Sequence, residues 1–191
     1  MPTARIAIFA SGNGTNAEAI FTHFQGHPSI AITALFSNNP KAYVLERARR
    51  HNIPTVVFNR SDFYATTKVM DSLKEFKITH IVLAGFLWLL PPAIVESFSS
   101  RIVNIHPALL PKYGGKGMYG IRVHEAVKAS GDRLTGITIH EVTDYYDDGP
   151  LIFSATCDIN PEDSPEEIAG KVHQLEHRHY PWIIEKWINN A

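Results

Sequence analysis

Apolar and polar positions fall into short alternating blocks along the first half of the chain. The run Arg5-Ile6-Ala7-Ile8-Phe9-Ala10 is apolar until it stops at Ser11-Gly12-Asn13-Gly14, the pattern of a strand buried on both faces. A helix is expected over 15–24. The blocks then repeat: strand 30–36, turn at Asn38-Asn39-Pro40, helix 43–50, strand 55–58, helix 63–76 and strand 80–84. Strands joined by helical crossovers run parallel, so this half predicts a doubly wound sheet with helices on both faces.

Beyond Pro91-Pro92 the pattern gives a short helix, 93–98, and a brief strand, 102–105, and then the alternation breaks. Positions 108–120 are glycine-rich without an apolar period and read as a long loop, a feature that in a compact domain is often functional. Helix 123–129, strand 135–142, loop 143–150 and strand 151–157 follow. A C-terminal helix starts at a capping box, Ser164-Pro165-Glu166-Glu167, and carries Ile168, Val172, Leu175 and then Trp182 or Ile183 as an apolar stripe, with a kink expected at Pro181. The expected fold class is α/β: a single domain, 1–191, with a Rossmann-like doubly wound, mostly parallel sheet, antiparallel C-terminal strands and a long C-terminal helix.

Composition narrows the function classes. With 191 residues, 45% hydrophobic and 19% charged, and a formal net charge of −1, the chain reads as an ordinary globular protein and not as a nucleic-acid binder driven by bulk charge. The apolar stretch from Ile81 to Val95 is interrupted by Pro91 and Pro92 and falls short of the roughly 20 residues that a membrane-spanning helix needs. The N-terminal apolar run is too short for the core of a signal peptide. One cysteine, Cys157, permits no internal disulfide, and a reducing cytoplasm is the expected compartment.

Four constellations could carry chemistry. Gly12-Asn13-Gly14-Thr15-Asn16-Ala17 fits Gly-x-Gly-x-x-Ala between a strand and a helix, where free N–H groups and the helix dipole favour a phosphate. The acid that would hold a dinucleotide ribose is missing from Phe36-Ser37-Asn38-Asn39, so a phosphate without an adenine dinucleotide is preferred; a turn that binds nothing is the alternative. Asn104 and His106, two apart on a strand, project to the same side and could bind a carbonyl oxygen and move a proton, although a strand-end histidine is often only structural. Thr143 to Pro150 carries three carboxylates, one of which, near His106, would favour the imidazolium and raise its pKa; the same residues suit a solvated turn. His173-Gln174-Leu175-Glu176-His177 matches the inverted zinc-peptidase pattern but lacks an evident third ligand. A nicotinamide oxidoreductase, a zinc hydrolase and a non-catalytic binding module therefore stand beside a group transferase.

Taken together, Ala10-Ser-Gly-Asn-Gly-Thr-Asn16, Leu83-Ala-Gly-Phe86, Asn104-Ile-His-Pro-Ala-Leu-Leu-Pro111 and the Asp-Gly-Pro loop resemble the folate-dependent formyltransferases, and within them the phosphoribosylglycinamide formyltransferases, over nearly the whole chain. Methionyl-tRNA formyltransferases have an added C-terminal RNA-binding domain, and formyltetrahydrofolate deformylases an N-terminal regulatory one; neither is seen here. The resemblance implies Asn104, His106 and Asp147 as catalytic residues, with His140 supporting. It places the phosphoribosyl substrate at Gly14, Thr15, Asn16 and Glu176, which recasts the apparent zinc motif as substrate binding. It gives the folate Leu87, Trp88, Leu89, Leu90 and Asn104, with Arg60 as a further ligand-side arginine. Where family members often have Met-Arg-Ile-Leu after Gly-Phe, this chain has Leu87-Trp88-Leu89-Leu90, which removes one arginine contact. The implied co-substrate is 10-formyltetrahydrofolate, with no metal. The implied partners are small-molecule substrates, with no nucleic acid or membrane, and a homodimer is left open.

Overall fold

The computed structural model describes residues 3–190. Seven strands form one sheet in the order β3-β2-β1-β4-β5-β6-β7. The strands are β1 (Ala4–Phe9), β2 (Ile30–Ser37), β3 (Thr55–Val57), β4 (His80–Leu83), β5 (Ile102–His106), β6 (Leu134–Glu141) and β7 (Leu151–Asp158). The first five run parallel, and β6 and β7 pair antiparallel. The helices are α1 (Thr15–Phe24), α2 (Val44–Arg50), α3 (Arg60–Tyr64), α4 (Lys68–Glu75), α5 (Pro92–Ser97), α6 (Ile121–Ser130) and α7 (Pro165–Asn189).

Strand periodicity builds the two cores. On β1, Ile6 and Ile8 face one side and join residues of α1, α2 and α7, while Ala7 and Phe9 face the other and join residues of α3, α4 and α5. On that second face Phe9 stacks on Phe36 at 4.8 Å between ring centroids, and Phe58, Phe63 and Phe86 surround them. The C-terminal helix closes the first face. Its capping box forms as the sequence predicts, Ile183 and not Trp182 joins the core, and the helix runs on through the buried Pro181. Tyr180, fully buried, donates its hydroxyl proton to the carbonyl of Leu83 and also lies 3.3 Å from that of Val103, which ties α7 to the end of β4 and the start of β5.

One element differs from expectation. The stretch 63–76 is not one helix: α3 begins earlier, at a capping box of Asn59 and Asp62, ends at Tyr64, and α4 starts at Lys68. An N-cap at Asn59 satisfies the first free N–H groups four residues ahead of the predicted start, so the chain has already turned before the apolar period begins. No helix among the described residues is long and apolar enough to cross a membrane.

The strand order reverses at β1, whose successors β2 and β4 lie on opposite sides of it. A crevice opens at the carboxyl ends of strands at such a switch point. Here the loops after β1 and β4 are bonded to each other: the Ser11 N–H donates to the Gly85 carbonyl, and the Leu87 N–H donates to Ser11 Oγ.

Candidate active site

The crevice is a cleft of about 840 Å³. Its wall includes the glycine loop and start of α1, the segment after β4, the end of β5, the 115–120 loop, the start of α6, the 145–147 loop, and residues of β6 and α7. Of the residues predicted from the sequence, Gly14, Thr15, Asn16, Leu87, Trp88, Leu89, Leu90, Asn104, His106, Asp147 and Glu176 all line it. Arg60 does not. Its guanidinium lies over the rings of Tyr64 (5.1 Å) and Trp88 (5.8 Å), so it reaches the cleft only through Trp88.

At the end of β5 the alternation of the strand brings Asn104 and His106 to one carboxylate. Asp147 Oδ1 lies 3.5 Å from Asn104 Nδ2 and 3.7 Å from His140 Nε2, and its Oδ2 lies 3.5 Å from His106 Nδ1. The Gly115 N–H donates to Asp147 Oδ2 at 2.9 Å. Asp147 adopts φ 54°, a left-handed conformation that aspartate tolerates better than most residues. The turn is set by Gly149, where a Cβ would run into the Glu141 carbonyl. Asp144, the alternative carboxylate, is exposed and outside the cleft lining.

Acceptor identities fix the tautomers. His140 Nδ1–H donates to the Glu141 carbonyl at 2.7 Å, which leaves Nε2 to accept from the Asn104 amide at 3.1 Å. His106 Nε2–H donates to the Tyr113 carbonyl at 2.7 Å, and its Nδ1 faces Asp147. The Asp147 charge raises the His106 pKa, as expected from the sequence, but does not set its net position. Burial, at 4% exposure, outweighs the Asp147 charge and the Tyr113 carbonyl, and the imidazole titrates below its ordinary range. Burial would raise the Asp147 carboxyl, but protons carried by His140 and His106 on the nitrogens that face it, together with the Gly115 N–H, hold it below the ordinary carboxylate range.

The other end of the cleft is formed by α1, α6 and α7. Gly14 caps α1 in a left-handed conformation (φ 78°) with no side-chain cap, so the first N–H groups of the helix are left to a ligand. A Cβ there would run into Val44. Glu176 is 5% exposed, and burial pushes its carboxyl up to about 7, with the Asn16 amide opposing. Asn16 Oδ1 and His124 Nδ1 are buried without a partner. His124, 2% exposed at the start of α6, is pushed down to about 4 by burial and by the neighbouring His173 and His106. His173 and His177 stack at 6.3 Å between ring centroids, and among the described residues no set of three histidine, cysteine or carboxylate side chains is arranged to hold a metal ion.

Sequence reasoning overlooked three parts of this site. The Tyr113 carbonyl and Gly115 N–H are backbone groups that carry no sequence signal. His124 falls in an ordinary amphipathic helix, Ile121–Ser130, with nothing to mark it as facing the cleft.

The candidate site is thus a cleft at the switch point of an open α/β sheet, with an uncapped helix start at one end and an amide–imidazole–carboxylate cluster at the other. The formyl transferase family model matches residues 4–184, and the chain belongs to that family. It is 38% identical over 186 residues to a chloroplastic phosphoribosylglycinamide formyltransferase of Arabidopsis thaliana, covering 94% of this chain and 64% of that one, so it spans under two thirds of that relative's length. It is 36% identical to the phosphoribosylglycinamide formyltransferase of Haemophilus influenzae, covering 98% of this chain and 88% of the relative. Among solved structures, the phosphoribosylglycinamide formyltransferase of Bacillus halodurans superposes with a TM-score of 0.85 at 36% identity, covering 95% and 94% of the two chains.

Proposed function

We propose that this chain transfers a formyl group from 10-formyltetrahydrofolate to the amine of phosphoribosylglycinamide, a step of purine synthesis in the cytoplasm. The observation that carries the reading is the convergence of Asn104, His106 and Asp147 in a cleft whose other end is an uncapped helix start beside Glu176. The names of the relatives agree with it. The cleft volume lies within the usual range of small-molecule sites, and the unpartnered Asn16 Oδ1 and His124 Nδ1 fit a polar ligand at the α1 end. The folate supplies the activated formyl group. Its partners on this chain are the segment Leu87 to Leu90, Asn104, and Arg60 by way of Trp88.

The residues then have distinct tasks. Gly14, Thr15 and Asn16 hold the phosphoribosyl group through the helix start, and Glu176 orients the substrate near its amine. His106 enters the reaction neutral and takes the proton of the attacking amine at Nδ1, where Asp147 stabilises the imidazolium that forms. Its Nε2–H stays on the Tyr113 carbonyl, and the Asn104 amide is the donor offered to the oxyanion. Such a donor is worth about 3 kcal/mol in the transition state. The proton on Nδ1 is then given to the leaving nitrogen, so the transfer consumes no net proton and needs no covalent enzyme intermediate. The reaction uses small-molecule substrates and no metal, nucleic acid or membrane, and a homodimer is compatible with it.

The test is a difference-absorbance assay with a 10-formyl-folate donor and two acceptors run side by side. Formylation of phosphoribosylglycinamide and none of methionyl-tRNA is the expected result. Transfer to the tRNA alone, or to neither, overturns the reading.

A further inference from the structure

The glycine loop has an anchor outside the cleft. Arg47, on α2, donates from Nε to the Asn13 carbonyl at 2.9 Å and from Nη2 to Asn13 Oδ1 at 2.8 Å. Its Nη1 donates to Glu18 Oε2 at 3.2 Å, and the guanidinium lies over the Tyr43 ring at 4.9 Å. All three guanidinium nitrogens are therefore engaged, and the side chain is only 20% exposed. A second contact from the same helix supports the grip: the Val44 N–H donates to the Gly12 carbonyl.

Glu18 explains why the anchor is a cation. It sits in the first turn of α1, beside the N–H groups to which the proposed reading gives a phosphate. A carboxylate there would repel an anionic ligand. Glu18 instead faces Arg47 on one oxygen and His51 Nε2, at 2.7 Å, on the other; partial burial would raise its pKa, but these partners hold it below the ordinary range. The loop has no comparable device of its own, since Asn13 is exposed and a Cβ at Gly12 would meet nothing within 4 Å. Ordering such a segment at the moment of binding costs about 1–2 kcal/mol per residue in backbone entropy, which a preformed loop avoids.

We propose that Arg47 is a positioning residue that presets the Gly12 to Gly14 loop for a phosphate group and cancels the repulsion of Glu18, without touching the ligand itself. This rests on the proposed substrate only in taking the α1 start as a phosphate site, and inorganic phosphate serves as the probe. The amide signals of Gly14, Thr15 and Asn16 are followed by NMR during phosphate titration of the wild type, Arg47→Gln, Arg47→Lys and the double variant Arg47→Gln/Glu18→Gln, with melting curves recorded for each.

The dissociation constant should rise about tenfold in Arg47→Gln, the scale expected when a charge-assisted hydrogen bond is removed from a preorganised loop. Arg47→Lys, which keeps the charge but not the forked grip, should fall between. The double variant should regain part of the loss, because the repelling carboxylate has gone with its partner. In steady state KM for phosphoribosylglycinamide should follow the phosphate series, while kcat and KM for the formyl donor stay within about twofold, a split that loss of general stability would not produce. Wild-type affinity in Arg47→Gln, a double variant no better than the single, or wild-type amides indifferent to phosphate overturns the proposal. A phosphate series as expected in an enzyme that does not formylate phosphoribosylglycinamide would refute the substrate and leave the role of Arg47 standing.

Discussion

Replacing Asp147 by Asn keeps the shape of the side chain and removes one charge from the centre of the cluster. Asp147 Oδ2 lies 3.5 Å from His106 Nδ1. Two unit charges at that separation attract by about 5 kcal/mol at an effective dielectric constant of about 20. One side of the cluster opens to the cleft, where water screens the pair, so roughly 3 kcal/mol is the loss expected for a transition state that carries an imidazolium. That corresponds to a fall in kcat of about 10²-fold at pH 7. The sign of the pH effect follows from the contributions to His106. Burial lowers its pKa and Asp147 partly offsets that, so removing Asp147 lowers it further, and the acid limb of kcat/KM should move to lower pH. The assay is steady-state rate against pH, with NMR titration of the His106 ring in both proteins. Asp144→Asn should change little, because Asp144 is exposed and lies outside the cleft lining. A rate within threefold of wild type with an unmoved acid limb, or equal losses in Asp144→Asn and Asp147→Asn, would refute the reasoning.

Glu176→Gln should raise stability at pH 8 and leave it nearly unchanged at pH 4: the folded pKa, about 7 against an ordinary value of 4.5, means that stability present below 4.5 is lost as pH rises through 7, by about 3 kcal/mol. Melting temperatures at the two pH values check this, and equal shifts at both would contradict it. Asn16→Ala should raise KM for phosphoribosylglycinamide by about tenfold, the cost of one hydrogen bond to a charged group, with little change for the folate; a rise for the folate alone would put the helix start on the wrong ligand. Chelator treatment should leave turnover intact, and stoichiometric zinc whose removal abolishes activity would return His173, Glu176 and His177 to the zinc reading.

What could be read in advance differs from residue to residue for physical reasons. Helix α1 and the α7 capping box are local: glycine and asparagine break the first strand, and Ser164 and Glu167 satisfy each other's backbone, so both appear where the sequence puts them. The Asn104 and His106 pair is legible because strand periodicity places both on one side, and the resemblance singles out Asp147 from three neighbouring carboxylates. The charge of His106 is not legible, since it depends on how deeply the loop from Tyr113 to Gly115 covers the ring. Arg47 lies in a run of basic helix residues that reads as a solvated face, and only the packing of α2 against the glycine loop gives it a task. The early start of α3 has a local signal, the Asn59 and Asp62 capping box, whereas α4 follows Thr67, which makes no side-chain cap, so the break between the two helices has none.

The central claim is direct transfer of a formyl group to an amine in this cleft, and a donor labelled with carbon-13 in the formyl group tests it without intermediaries. In a single turnover followed by NMR with phosphoribosylglycinamide present, the label should leave the donor and appear in the N-formyl product at one and the same rate, with none on the protein. Label emerging as free formate, or held covalently by the enzyme, would contradict the account.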